Sequence, residues 1–107
     1  MEVKPVAITV HAIASLFKEL EYHKQNTSSA FANKLRDAFI GYVDELPQNY
    51  LQYPECRFIP TKNQQYRNIV WRDYLIIYKI LKKEILVLGV FNARQHPRKL
   101  KSYRKIK

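Results

Sequence analysis

Apolar positions along the chain change their period twice. Val3 to Ile8, with Val6 and Ile8 on one face, reads as a short first strand; Pro5 near its start suits an edge position or a bulge. Thr9 is a plausible N-cap. After it Val10, Ile13, Phe17 and Leu20 recur at helical spacing, joined by Ala14 and Leu16, and predict a first helix over roughly 10–25. Asn26-Thr27-Ser28-Ser29 is a polar break rich in capping residues. A second helix is predicted from Ala30 to Leu46, on the stripe Phe31, Leu35, Ala38, Phe39, Tyr42 and Leu46, with Pro47 just past its end. Gly41 inside it costs up to about 1 kcal/mol relative to alanine. Each helix has one apolar face, so the two should form a hairpin.

Residues 47–56, with two prolines, polar side chains and aromatics, read as a loop. Strand-like runs follow at Arg57 to Ile59, Tyr66 to Arg72, Tyr74 to Leu81 and Glu84 to Phe91. The last run is apolar on both faces and should be a central strand. Lys82-Lys83 marks the turn before it. Residues 92–107 form a polar, basic tail. The order is strand, two helices, then strands. The expected fold is therefore α+β, a helical hairpin packed on a small, mainly antiparallel sheet of about four strands, all in one domain spanning 1–107. One sheet face should be covered by the hairpin, leaving the other, with the tail beside it, free for function.

Charge sharpens this picture. Residues 1–56 hold five basic and seven acidic side chains, a net of −2, whereas residues 57–107 hold fourteen basic side chains and only Asp73 and Glu84, a net of +12. A field confined to one half attracts a polyanion or an acidic protein. With 2 glycines there is no glycine-rich phosphate loop, and no apolar run is long enough to span a membrane. The N-terminus lacks the basic and apolar regions of a signal peptide, so a cytoplasmic location is expected. Cys56 is the single cysteine and reads as a buried spectator thiol rather than a nucleophile. The histidines His11, His23 and His96 have no metal-ligand spacing, so no metal and no cofactor are expected; His11 and His23 should lie on the surface of the first helix.

The candidate chemistry lies in the tail. Arg94, His96, Arg98 and Lys99 follow directly on the central strand, a rigid mount for side chains that hold phosphate or carboxylate. Arg67 and Arg72, in the second of the strand-like runs, are candidate surface contacts. Tyr50, Tyr53, Tyr66, Trp71, Tyr74, Tyr78 and Tyr103 supply rings beside several cations, as in single-strand nucleic-acid binding, though Tyr74 and Tyr78 fit cross-strand packing better.

The run Tyr74-Leu-Ile-Ile-Tyr78-Lys-Ile80, then Glu84 to Phe91, then Arg94 with Pro97-Arg98-Lys99-Leu100, resembles the C-terminal half of RelE/ParE-family toxins, and more the ParE branch. Thr9-Val-His-Ala12 is similar to the family's strand-to-helix junction. Asn92 departs from the family's ending, which has histidine there. The resemblance implies the toxin of a type II toxin–antitoxin (plasmid stabilisation) module. Its implied partners are a cognate acidic antitoxin that folds on binding and, through the joint complex, operator DNA. It offers two targets. ParE-like members inhibit DNA gyrase, here through Arg94, Arg98, Lys99, Arg67 and Arg72, with no chemistry of their own. RelE-like members cut mRNA in the ribosome; that would assign His96, Arg94 and Tyr103 to catalysis. The nuclease members carry arginine where this chain has Leu75, and lysines where it has Tyr66 and Asn68. These departures weigh against RNA cleavage. A third reading is a basic RNA-binding protein without toxicity.

Overall fold

The computed structural model describes residues 2–95 and 97–106. Its elements follow the expected order: β1 (Val6–Ile8), α1 (Val10–Asn26), α2 (Ser29–Asn49), β2 (Tyr66–Trp71), β3 (Tyr74–Ile80), β4 (Ile85–Asn92) and a C-terminal 3₁₀ segment, Pro97–Lys105. The sheet order is β1-β4-β3-β2. β2, β3 and β4 pair antiparallel, and β1 pairs parallel with β4 through Val6↔Ile85 and Ile8↔Val87. The fold is α+β with a mostly antiparallel sheet, as expected, and β4 is indeed central.

Local chemistry accounts for the helix boundaries. Thr9 caps α1 by accepting from the Ala12 N–H at 3.1 Å, and Ser28 caps α2 by accepting from the Phe31 N–H at 3.0 Å. α2 runs one turn further than expected, so that Pro47 sits inside it, in the last turn; its missing N–H removes one i→i−4 bond, to the Val43 C=O, and the helix ends two residues later. Lys82 and Lys83 form the β3–β4 turn, closed by Leu81 N–H to Glu84 C=O at 2.9 Å. Arg72 is not on a strand but at the β2–β3 turn, with φ 53°, a left-handed backbone that costs a non-glycine residue about 1–2 kcal/mol. Its guanidinium lies 4.9 Å from the Trp71 ring and 5.6 Å from that of Phe31, which offsets the strain.

The hairpin covers one face of the sheet. Leu20, Leu35, Phe39 and Leu46 pack there with Tyr74, Ile76, Tyr78, Ile85 and Val87. The stripe expected on α1 is rotated. Leu20 is buried, but Val10, Ile13 and Phe17 are exposed, and the inward positions are Ala12, Leu16, Glu19, Leu20 and His23. Helical spacing alone could not tell which of two apolar flanks the sheet takes. His23 is consequently buried rather than on the surface. Its Nε2 donates to the Tyr74 hydroxyl at 2.5 Å, Tyr74 donates to Glu19 Oε1 at 2.8 Å, and Nδ1 meets the Thr27 hydroxyl at 3.1 Å. Glu19 and His23 can be buried because each has a partner.

The opposite sheet face is not free. A second core fills it: Cys56, Ile59, Tyr66, Leu75, Ile77, Leu88 and Phe91, under Leu100 and Tyr103 of the C-terminal segment. Arg57–Ile59 is no strand. Ile59 N–H bonds back to Cys56 C=O at 3.0 Å, and the segment's apolar side chains plug this core instead of pairing. Only Glu55 bridges to Arg67. Cys56 is fully buried, and burial pushes its thiol up, which suits a spectator.

Candidate functional site

β4 carries the irregularity on which the site is built. Ile77 pairs with Gly89 but Tyr78 pairs with Val87, so Leu88 is an extra residue in β4. Carbonyls near such a bulge need partners. Those of Val87 and Leu88 receive the Thr9 hydroxyl at 2.8 Å and the His11 Nδ1–H at 2.8 Å, while the Val90 N–H donates to Ser15 Oγ at 2.9 Å. The N-cap Thr9 and two side chains from the first two turns of α1 thus lock that helix to the bulge. The bulge also brings Gly89 to the same face as Leu88, and the Tyr103 ring of the C-terminal segment lies directly on it. His11 packs edge-on against Tyr103 with centroids 4.9 Å apart.

Between α1 and the C-terminal segment this leaves a cleft of about 590 Å³. Lys18 comes from α1 and Arg98 and Lys99 from the C-terminal segment, with His11, Ser15 and Glu19 on the helix side and Phe91 and Tyr103 among the lining. Glu19 is the acid in the cleft, and it already accepts the Tyr74 hydroxyl. The cleft therefore presents positive charge over an aromatic lining, an environment fitted to carboxylate or phosphate.

The tail residues expected to act together are divided. Arg98 and Lys99 line the cleft, and Lys99 Nζ reaches Gln95 Oε1 at 3.5 Å. Arg94 turns to the β2–β3 turn, where it pairs with Asp73 at 3.0 Å. His96 lies outside the described residues. Tyr103 is buried, and burial pushes its hydroxyl up to about 12, with Glu19 adding to the effect, so it is ill suited to exchange protons near neutral pH. Arg67 is on β2 at the other end of the sheet, where its guanidinium donates to Tyr53 C=O at 2.9 Å and Leu51 C=O at 3.2 Å. That makes it a clamp on the 50–56 loop. Arg72 stacks on the rings of Trp71 and Phe31.

Sequence reasoning missed His11, Lys18 and Ser15. They sit four and three residues apart on a helix, which places them on one flank, but only the docking of the tail made that flank the wall of a cleft. Among the aromatics, Tyr50, Tyr66, Tyr74 and Tyr78 are buried and serve packing. Tyr78, for instance, donates its hydroxyl to Tyr50 C=O at 2.6 Å.

The positions relevant to RNA cleavage lie elsewhere. Tyr66 is in the second core, while Asn68 and Leu75 line a separate, largely apolar groove with Val70, Phe91 and Pro97.

A helical hairpin on a four-stranded sheet, its far face covered by a basic C-terminal segment, is a RelE/ParE-like fold. Residues 6–97 match the family model described as ParE toxin of type II toxin-antitoxin system, parDE. The chain belongs to that family, the ParE toxins. Among solved structures it is similar to one from the chromosomal ParDE TA system of P. aeruginosa, with a TM-score of 0.66 and 17% identity, covering 84% of this chain and 96% of that chain. No curated protein matches the sequence. Among the described residues no helix is long and apolar enough to cross a membrane.

Proposed function

We propose that this ParE-family toxin acts in the cytoplasm by binding a protein target, DNA gyrase, through the basic cleft between α1 and the C-terminal segment, without chemistry of its own. The observation that carries this reading is the contrast between two surfaces. Lys18, Arg98 and Lys99 converge around the cleft, whereas Leu75 and Asn68, the positions at which the nuclease branch carries cations, line an apolar groove. Arg94 contributes to the field beside the cleft. The partner that neutralises the toxin is an acidic, amphipathic antitoxin. The exposed apolar residues Val10, Ile13 and Phe17 of α1 and Ile40 of α2 offer it a face on the hairpin. Operator DNA is reached only through that complex.

One feature favours the alternative of ribosome-dependent mRNA cleavage: His11 shares the cleft with Arg98 and Lys99, and a histidine beside cations suits phosphate chemistry. Induced expression separates the two. The expected result is growth arrest relieved by the adjacent acidic gene product, altered plasmid supercoiling and intact mRNA, with Arg98→Ala and Lys99→Ala each weakening the arrest while leaving the protein folded. Specific mRNA cuts abolished by His11→Gln or His96→Gln would establish the nuclease reading instead. Normal growth at high levels of folded protein would rule out both.

A further inference from the structure

The sheet face away from the hairpin carries a groove of about 390 Å³ between the 54–58 loop and the start of the C-terminal segment. Pro54, Phe58, Val70, Leu75, Phe91 and Pro97 form most of its lining. Val70 is 60% exposed although it lies within β2, on the face where Tyr66 and Leu75 are buried. A strand residue of this kind usually packs under a neighbouring element. Here the loop and the tail flank it without covering it. The opening has room for a large apolar side chain and is rigid, because β2 and β3 form its floor.

One acid and one base stand at the rim. Glu55 accepts the Thr61 N–H at 3.1 Å, so its carboxylate is engaged by the backbone. The Arg57 guanidinium sits over the Phe58 ring at 5.0 Å, at the groove's edge. Apart from Pro54 and Glu55, the lining comes from residues 57–107, whose net charge is +12. Phe91 lines both this groove and the basic cleft, so the two adjoin at the root of the C-terminal segment. A nucleic acid would need cations along the floor to hold its phosphates, and the floor residues Asn68, Val70 and Leu75 carry none.

We propose that this groove receives a large apolar side chain, flanked by carboxylates, from the protein on which the toxin acts, while neighbouring acidic groups of the same partner engage the cleft. The inference rests on the reading of this chain as a toxin that binds a protein target. It places target contact on the tail face and leaves the hairpin to the antitoxin.

Two measurements test it. In the first, the full chain is titrated with the blocked peptide Asp-Glu-Leu-Phe-Glu-Asp and followed by amide chemical shifts. Saturable shifts are expected at Asn68, Val70, Leu75 and Phe91. Val70→Asp, a change at an exposed position, should weaken binding by roughly tenfold or more, as should replacing Leu-Phe of the peptide by Ala-Ala. The basic peptide Lys-Arg-Leu-Phe-Arg-Lys should bind far more weakly. Equal binding of both peptides, an unchanged affinity in Val70→Asp, or shifts confined to the hairpin would each overturn the proposal. In the second, Val70→Asp is expressed in cells. Reduced growth arrest with antitoxin binding retained is expected; undiminished arrest, or loss of antitoxin binding, would overturn the assignment to the target. Absence of arrest by the unmodified chain would remove the toxin reading, and the peptide titration would still decide the groove.

Discussion

The Tyr103 ring occupies the space that a side chain at Gly89 would fill. A Cβ built on Gly89 comes within 2.7 Å of the Tyr103 hydroxyl oxygen and 3.0 Å of the ring carbons Cε2 and Cζ. Gly89 does not have a left-handed backbone, so the requirement for glycine here is one of space alone. Gly89→Ala should push the ring off β4 and loosen the C-terminal segment, at a cost of about 1–3 kcal/mol. Denaturant unfolding measures the cost. Adding Tyr103→Leu should recover part of it, and strictly additive losses in the double variant would contradict the contact.

Gly41 is the opposite case. It is helical and exposed, and nothing lies within 4 Å of a Cβ built on it. Gly41→Ala should stabilise the protein by up to about 1 kcal/mol, through helix propensity and a less flexible unfolded chain. A higher denaturation midpoint with an unchanged slope is the expected result.

The buried chain His23–Tyr74–Glu19 fastens α1 to β3. A hydroxyl has one proton, and Tyr74 gives its own to Glu19 and accepts from His23. Tyr74→Phe removes both bonds and strands a buried carboxylate and a buried imidazole. The loss should be about 2–5 kcal/mol, well above that of a typical surface change. Thermal unfolding decides it; a loss below roughly 0.5 kcal/mol would show that solvent reaches the pair.

Two arginines of similar appearance in the sequence should behave differently. Arg67 is half-buried and holds the carbonyls of Leu51, Tyr53 and Gln64, so Arg67→Ala should cost about 1–3 kcal/mol and free the 50–56 loop to proteolysis. Arg94 pairs with Asp73 with both side chains exposed, and Arg94→Ala should cost no more than about 1 kcal/mol. Limited proteolysis and denaturation of the two variants, side by side, make the comparison.

Alkaline pH should unfold the protein. Burial raises the Tyr103 hydroxyl from an ordinary value near 10 to about 12, and raises those of Tyr74 and Tyr78 as well, Glu19 adding to the effect on Tyr74. A phenol with a raised folded-state value binds its proton more tightly in the native state. Its contribution is therefore complete below about pH 10 and is lost as pH climbs through 10 towards 12. Ultraviolet titration should show these tyrosines ionising only as the fold is lost, and substituting Tyr103 by Phe should move the onset upward.

The element order, the cap at Thr9, the capping-rich break that contains Ser28, the Lys82–Lys83 turn and the centrality of β4 were all legible in the sequence, because each depends on residues close together in the chain. The family was legible for a related reason: its pattern runs through consecutive strands and the tail. What lay between distant segments was not. The apolar spacing of α1 offers two flanks, and only the sheet chose the one that buries Glu19 and His23 and leaves Phe17 in water. The tail is polar on average, yet Leu100 and Tyr103, helped by Ile106, carry it onto the sheet, since the bulge at Leu88 and the bare surface of Gly89 make a seat for the ring. That seat decides the site. It gathers Arg98 and Lys99 with Lys18 and His11 of α1, separates Arg94 from them, and leaves a groove open beside Val70. A bulge shifts register by one residue and so changes which side chains face each other; no local pattern in the sequence records that choice.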